Sequence, residues 1–142
     1  MDKAHDLLKK HWGFDSFREP QAAIINAVTA GNDAFVLLPT GAGKSLCYQI
    51  PALMTDGVCL VVSPLIALME DQVKSLEDKG IKALALSSKL NRHDTIIAFD
   101  NLMHGNYKFL YLSPEKLQSE FIQEKISQLS LNLIAIDEAH CI

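Results

Sequence analysis

A chain of 142 residues, 49% hydrophobic and 21% charged, has the make-up of one compact globular domain and excludes a disordered or fibrous protein. Thirteen Lys and Arg against seventeen Asp and Glu leave a net charge of −4, so no overall basic field points to nucleic acid and any such contact must be local. Cys47, Cys59 and Cys141 are odd in number and lack a CxxC spacing, which argues against a disulfide framework or zinc site and for a reducing cytoplasm. In chain order, short apolar or β-branched runs predict strands at 34–38, 58–62, 82–86, 108–112 and 133–136. Helical patterns lie between them. The first follows Ser45 and contains Pro51, which should bend or shorten it. Ser63-Pro64 reads as N-cap and N1 proline of a helix stopping at Gly80. Asn91 caps a helix running to His104, ended by Gly105-Asn106, and Ser113-Pro114-Glu115 repeats the cap-and-proline start. Strand and helix alternating without long gaps predict an α/β fold, a mostly parallel sheet flanked by helices, over one domain spanning 1–142.

No apolar stretch follows the first five residues as a secretory leader requires, and the run 58–69 is interrupted and too short for a membrane helix of ~20 residues. A cytoplasmic location is expected, with the nucleoid if the source is bacterial.

The most specific segment is Leu38-Pro39-Thr40-Gly41-Ala42-Gly43-Lys44-Ser45, between a predicted strand and a predicted helix. That is the setting of a phosphate-binding P-loop. Gly41 and Gly43 let successive N–H groups face a phosphate, and the helix N-terminus adds positive potential. Lys44 can reach the β- and γ-phosphates, and Ser45 can place its hydroxyl on Mg²⁺. Leu38 stands where the usual pattern has its first glycine. At the other end, the run 133–136 delivers Asp137 and Glu138 beyond a strand's carboxyl end, where open α/β sheets bind ligands. Asp137 can hold Mg²⁺ or its water, and Glu138 can orient and deprotonate an attacking water.

Thr40-Gly41-Ala42-Gly43-Lys44-Ser45 with Asp137-Glu138-Ala139-His140 resembles the first motor domain of superfamily 2, DEAH-type helicases, in which the first P-loop glycine is commonly absent. Trp12-Gly13-Phe14-Asp15-Ser16-Phe17-Arg18-Glu19-Pro20-Gln21 is similar to the adenine-recognition motif of the RecQ family, with Trp12 where Phe is usual. The stretches 61–73 and 111–117 resemble motifs Ia and Ib, so the likeness covers nearly the whole chain. It implies a RecA-like P-loop domain, incomplete at its C-terminus, of an ATP- and Mg²⁺-dependent DNA helicase with 3′ to 5′ polarity, acting in repair and recombination. The family's motif III strand, second motor domain and arginine finger would come after Ile142. An arginine finger can be worth roughly 10³–10⁵ in rate, so the chain alone is expected to lack helicase activity. A nucleotide-binding module without turnover is the rival reading. An RNA helicase of the DEAH class is disfavoured by residues 12–21.

Residue by residue, the resemblance assigns ATP binding to Phe14, Arg18, Gln21, Thr40, Gly41, Ala42, Gly43, Lys44 and Ser45. Catalysis falls to Lys44, Asp137, Glu138 and His140, and Mg²⁺ to Ser45 and Asp137, partly through water. Gln21 can pair with adenine N6 and N7, though an exposed residue at a helix start would look the same. Phe14 or Arg18 can stack on the base, whereas Phe17 and Trp12 are read as packing residues. His140 would couple the nucleotide site to the motor; His5, His11, His93 and His104 read as surface residues. Ser63 and Ser113 precede prolines at strand ends, and the resemblance implies contact with the DNA backbone there, although a plain helix cap explains both.

Overall fold

The computed structural model describes residues 2–36, 43–87 and 89–137. They form two compact units, Met1–Asp56 and Gly57–Ile142.

The first unit holds helices α1 (Asp2–Trp12), α2 (Gln21–Thr29) and α3 (Leu46–Met54). Each turns inward apolar residues spaced for one helical face. Ala4 and Leu8 of α1, Ile25 of α2, and Leu46 and Ile50 of α3 make one buried cluster, with Trp12 and Phe17 packed against it. Side chains of this size contribute about 1.5–3 kcal/mol each when fully buried, which outweighs the weak intrinsic stability of nine-residue helices. Lys3 Nζ donates to the Met54 carbonyl at 2.7 Å and ties α1 to the end of α3. Pro51 lies inside α3, and the helix continues past it to Met54.

The second unit is a parallel α/β sheet. Strands β1 (Val58–Val62), β2 (Ala83–Ala85), β3 (Phe109–Leu112) and β4 (Leu131–Ile136) pair in the order β2-β3-β1-β4. All three ladders are parallel. Helices α4 (Ile66–Asp78), α5 (Arg92–His104), α6 (Pro114–Leu117) and α7 (Glu120–Ser127) connect the strands. Val58, Leu60, Val62, Leu110 and Leu112 pack with Ala98, Phe99 and Leu102 of α5 and Ile122 of α7. Residues of opposite parity, Cys59, Val61, Phe109 and Tyr111, are buried too, so β1 and β3 are covered on both faces. On β4, by contrast, Ile134 and Ile136 are more than half exposed.

Four predicted strands appear with small shifts of boundary. The exception is 34–38: residues 34–36 carry no strand, Phe35 is 78% exposed, and 37–38 lie outside the described residues. Apolar character alone does not make a strand where no ladder hydrogen bonds form. Asn91 caps α5 as expected, its Oδ1 accepting from the Asp94 N–H at 2.7 Å, and the chain leaves α5 through Gly105 and Asn106, the latter at φ +60°.

Ser63 is not a helix cap. Its N–H donates to the Leu112 carbonyl at 3.0 Å, so it belongs to the sheet, and its hydroxyl accepts from Leu65 N–H in a two-residue turn. Helix α4 therefore begins at Ile66. Ser113 does occupy the N-cap position with Pro114 next, yet its side chain makes no cap bond. The segment after it divides into α6 and α7, the second capped by Ser119, whose hydroxyl accepts from Ile122 N–H.

Candidate functional site

In the first unit the phosphate loop runs into α3. Thr40, Gly41 and Ala42 lie outside the described residues; Gly43, Lys44 and Ser45 lie within them. Gly43 has φ +75°, a conformation that disfavours any side chain. Its carbonyl accepts twice, from Leu46 N–H at 3.2 Å and from the Gln21 side-chain Nε2 at 3.0 Å. Lys44 and Ser45 form the turn into the helix, their carbonyls accepting from Cys47 and Gln49 N–H. The Ser45 side chain makes no cap bond to its own helix.

Gln21 opens α2 and is only 2% exposed, so it is not a solvated helix start. Its Oε1 accepts from Arg18 N–H at 2.8 Å while its Nε2 donates to Gly43. A Cβ built on Gly43 would run into this amide and stand 3.2 Å from Arg18 Nη2. Three of the expected nucleotide residues, Arg18, Gln21 and Gly43, therefore converge beside Lys44. Phe14 is 55% exposed, leaving its ring available for stacking. Phe17 and Trp12 pack as expected, and the His5 ring lies 5.0 Å from that of Phe17 and is half-buried rather than a plain surface residue.

In the second unit the expected residues line the carboxyl end of the sheet. Leu112, Val62 and Ile136 share one register row across β3, β1 and β4. The next residues, Ser113, Ser63 and Asp137, are therefore neighbours across three strands. Asp137 N–H donates to the Val62 carbonyl at 2.8 Å, which fixes the start of the acidic segment. Asp137 is half-buried, while Ser63 and Ser113 are buried. Glu138 and His140 lie outside the described residues.

The cysteines supply neither nucleophile nor metal ligand. Burial pushes the Cys47 thiol up, and pushes Cys59 up to about 12 against a smaller opposing pull from Lys108. Both remain neutral thiols at physiological pH. Among the described residues no three His, Cys, Asp or Glu gather as a metal cage. Mg²⁺ does not need one, because it binds through one or two protein oxygens together with substrate phosphates and water. The donor set here, a serine hydroxyl and a lone carboxylate, fits that habit.

Sequence comparison decides the family, since the DEAD/DEAH box helicase profile matches residues 18–142. This chain belongs to the DEAD/DEAH box helicase family. It is 49% identical, over its full length, to the probable ATP-dependent DNA helicase RecS of Bacillus subtilis. It is 46% identical over 96% of its length to the ATP-dependent DNA helicase RecQ of Synechocystis sp., and 48% identical over 98% to that of Haemophilus influenzae. These alignments cover 28%, 29% and 22% of the relatives, so the chain spans about a quarter of their length. The RecQ likeness read from residues 12–21 is thereby borne out, as is the parallel α/β fold of a helicase motor. Family membership carries nucleotide use with it. Among the described residues no helix is long and apolar enough to cross a membrane.

The link from Gln21 to Gly43 was not legible in the sequence. The two residues are 22 positions apart, and no local pattern signals that a side-chain amide will reach a loop carbonyl.

Proposed function

We propose that the chain is the ATP-binding part of a RecQ-type DNA helicase that works in the cytoplasm and couples ATP hydrolysis, with Mg²⁺, to 3′ to 5′ strand separation. The observation that carries this is the convergence of Gln21 and Arg18 on Gly43 at the mouth of α3. A buried amide with donor and acceptor both oriented beside a phosphate loop suits an adenine nucleotide. Mg-ATP, when bound, supplies the phosphoanhydride whose hydrolysis drives the motor.

The chain's own groups then have distinct tasks. Gly43 and the residues before it offer N–H groups to the phosphates, and Lys44 balances charge on the β- and γ-phosphates. Ser45 and Asp137 each carry the oxygen that Mg²⁺ prefers. Glu138 takes the proton of the attacking water, and His140 relays the state of the nucleotide to the motor. Gln21 reads the adenine edge, with Phe14 or Arg18 against its face. Ser63 and Ser113 meet the DNA backbone at the sheet's carboxyl edge.

The test is ATP hydrolysis by a form carrying the remaining motor elements, measured with no nucleic acid, with single-stranded DNA and with RNA. Stimulation by DNA well above RNA is expected. Nucleotide binding with no turnover under any condition would instead favour a binding module, and stimulation by RNA alone would favour an RNA helicase.

A further inference from the structure

We infer that Gln21 is a positioning residue for the phosphate loop as well as a reader of the base. The inference rests on the reading of this site as a nucleotide site and concerns what Gln21 does when no base is present. A glutamine amide has two N–H donors and an oxygen with two lone pairs. One donor already goes to the Gly43 carbonyl and one lone pair already receives the Arg18 N–H. One donor and one lone pair remain, and they match adenine's N7 acceptor and N6–H donor. Holding the loop and reading the base therefore do not compete.

Chemistry also fixes which way the amide faces. A backbone N–H only donates and a backbone carbonyl only accepts. A flipped Gln21 would set donor against donor at Arg18 and acceptor against acceptor at Gly43. With 2% exposure there is little water to repair either mismatch. The same bond organises the loop. Because the Gly43 carbonyl also accepts from Leu46 N–H, the amide is tethered to the first turn of α3, beside Lys44 and Ser45. Gly43 has a second reason to be glycine besides its φ: a side chain there would occupy the space of the Gln21 amide.

The two roles separate with a probe that has phosphates and no base. Inorganic tripolyphosphate with Mg²⁺ should bind the wild-type chain, and Gln21→Ala should weaken that binding by about tenfold, the equivalent of one buried hydrogen bond. Gln21→Glu should do at least as much harm, because a carboxylate oxygen then faces the Gly43 carbonyl. If both variants bind tripolyphosphate like wild type while their preference for ATP over GTP collapses, Gln21 reads the base only and the inference is wrong. A wild-type chain that binds neither ATP nor tripolyphosphate would remove the nucleotide site itself, and the inference with it. A measurement on the wild type guards against misfolded variants. The ¹⁵N-edited NMR signal of the Gln21 side-chain amide should shift when tripolyphosphate is added, and an unmoved signal at saturation overturns the inference.

Discussion

The N–H of Asp137 donates to the carbonyl of Val62 at 2.8 Å, so the first acidic residue leaves β4 at the last rung of its ladder with β1. A carboxylate held there by backbone pairing has little freedom to wander, which suits a group meant for a metal or its water. Asp137→Asn keeps that rung and removes the charge. In a form that turns over ATP, it should raise the Mg²⁺ concentration needed for half-maximal hydrolysis, whereas Glu138→Gln should bind ATP and fail to hydrolyse it. A magnesium titration of ATPase alongside a nucleotide-binding assay checks both, and normal hydrolysis by Glu138→Gln contradicts the assigned base.

Lys44 stands at the turn between Gly43 and α3, where its ammonium can meet the phosphates. Lys44→Ala should abolish hydrolysis and weaken ATP binding, since lost transition-state donors of this kind typically remove about 3–4 kcal/mol. Single-turnover assays with direct binding measurements read both effects. Retained wild-type turnover would remove the P-loop assignment.

Much of this was legible from pattern. Parallel strands buried on both faces are apolar at nearly every residue, and 58–62 and 108–112 read that way because β1 and β3 lie in the middle of the described sheet. Asn91 was legible as a cap because an Asx side chain reaches only a few residues along its own chain. Ser63 misled for the opposite reason. A serine before proline looks like a cap, but its N–H is taken by Leu112, 49 residues away in the chain, and no local signal carries that. The burial of Gln21 was hidden likewise, because it depends on how α2 meets the loop before α3.

Cys59 gives a prediction about pH. Its thiol is pushed from an ordinary 9.0 up to about 12 by burial in β1. Between those values the unfolded chain has released the proton and the folded chain still holds it, so the unfolded state binds fewer protons. Stability should therefore fall as pH rises from 9 towards 12, with a contribution from this thiol approaching about 1.4 kcal/mol per pH unit. Below 9 both states are protonated and the contribution is flat. Cys59→Ala should be less stable at neutral pH through lost packing, yet lose stability less steeply in that window. Urea unfolding of both proteins at pH 8, 9 and 10 makes the comparison, and parallel curves would show that the thiol is not the cause.

Ser113 separates a structural cap from a DNA contact. It sits at the N-cap of α6 and is 7% exposed, yet its side chain makes no cap bond. Its backbone does the structural work, with the carbonyl accepting from Lys116 N–H at 3.1 Å. Alanine at an N-cap typically costs about 1 kcal/mol because a cap bond is lost. With no such bond here, Ser113→Ala should change stability by less than about 0.5 kcal/mol. Asn91→Ala serves as the control, since it removes the 2.7 Å bond to Asp94 N–H and should show the ordinary cost. If the hydroxyl meets a phosphate of the DNA strand, Ser113→Ala should lower single-stranded DNA affinity several-fold and leave DNA-independent ATP hydrolysis unchanged. Fluorescence anisotropy with a labelled single strand and a denaturation curve for each variant measure the two effects. A Ser113→Ala protein destabilised as much as Asn91→Ala, with DNA affinity intact, would make Ser113 a plain cap and remove it from the DNA surface.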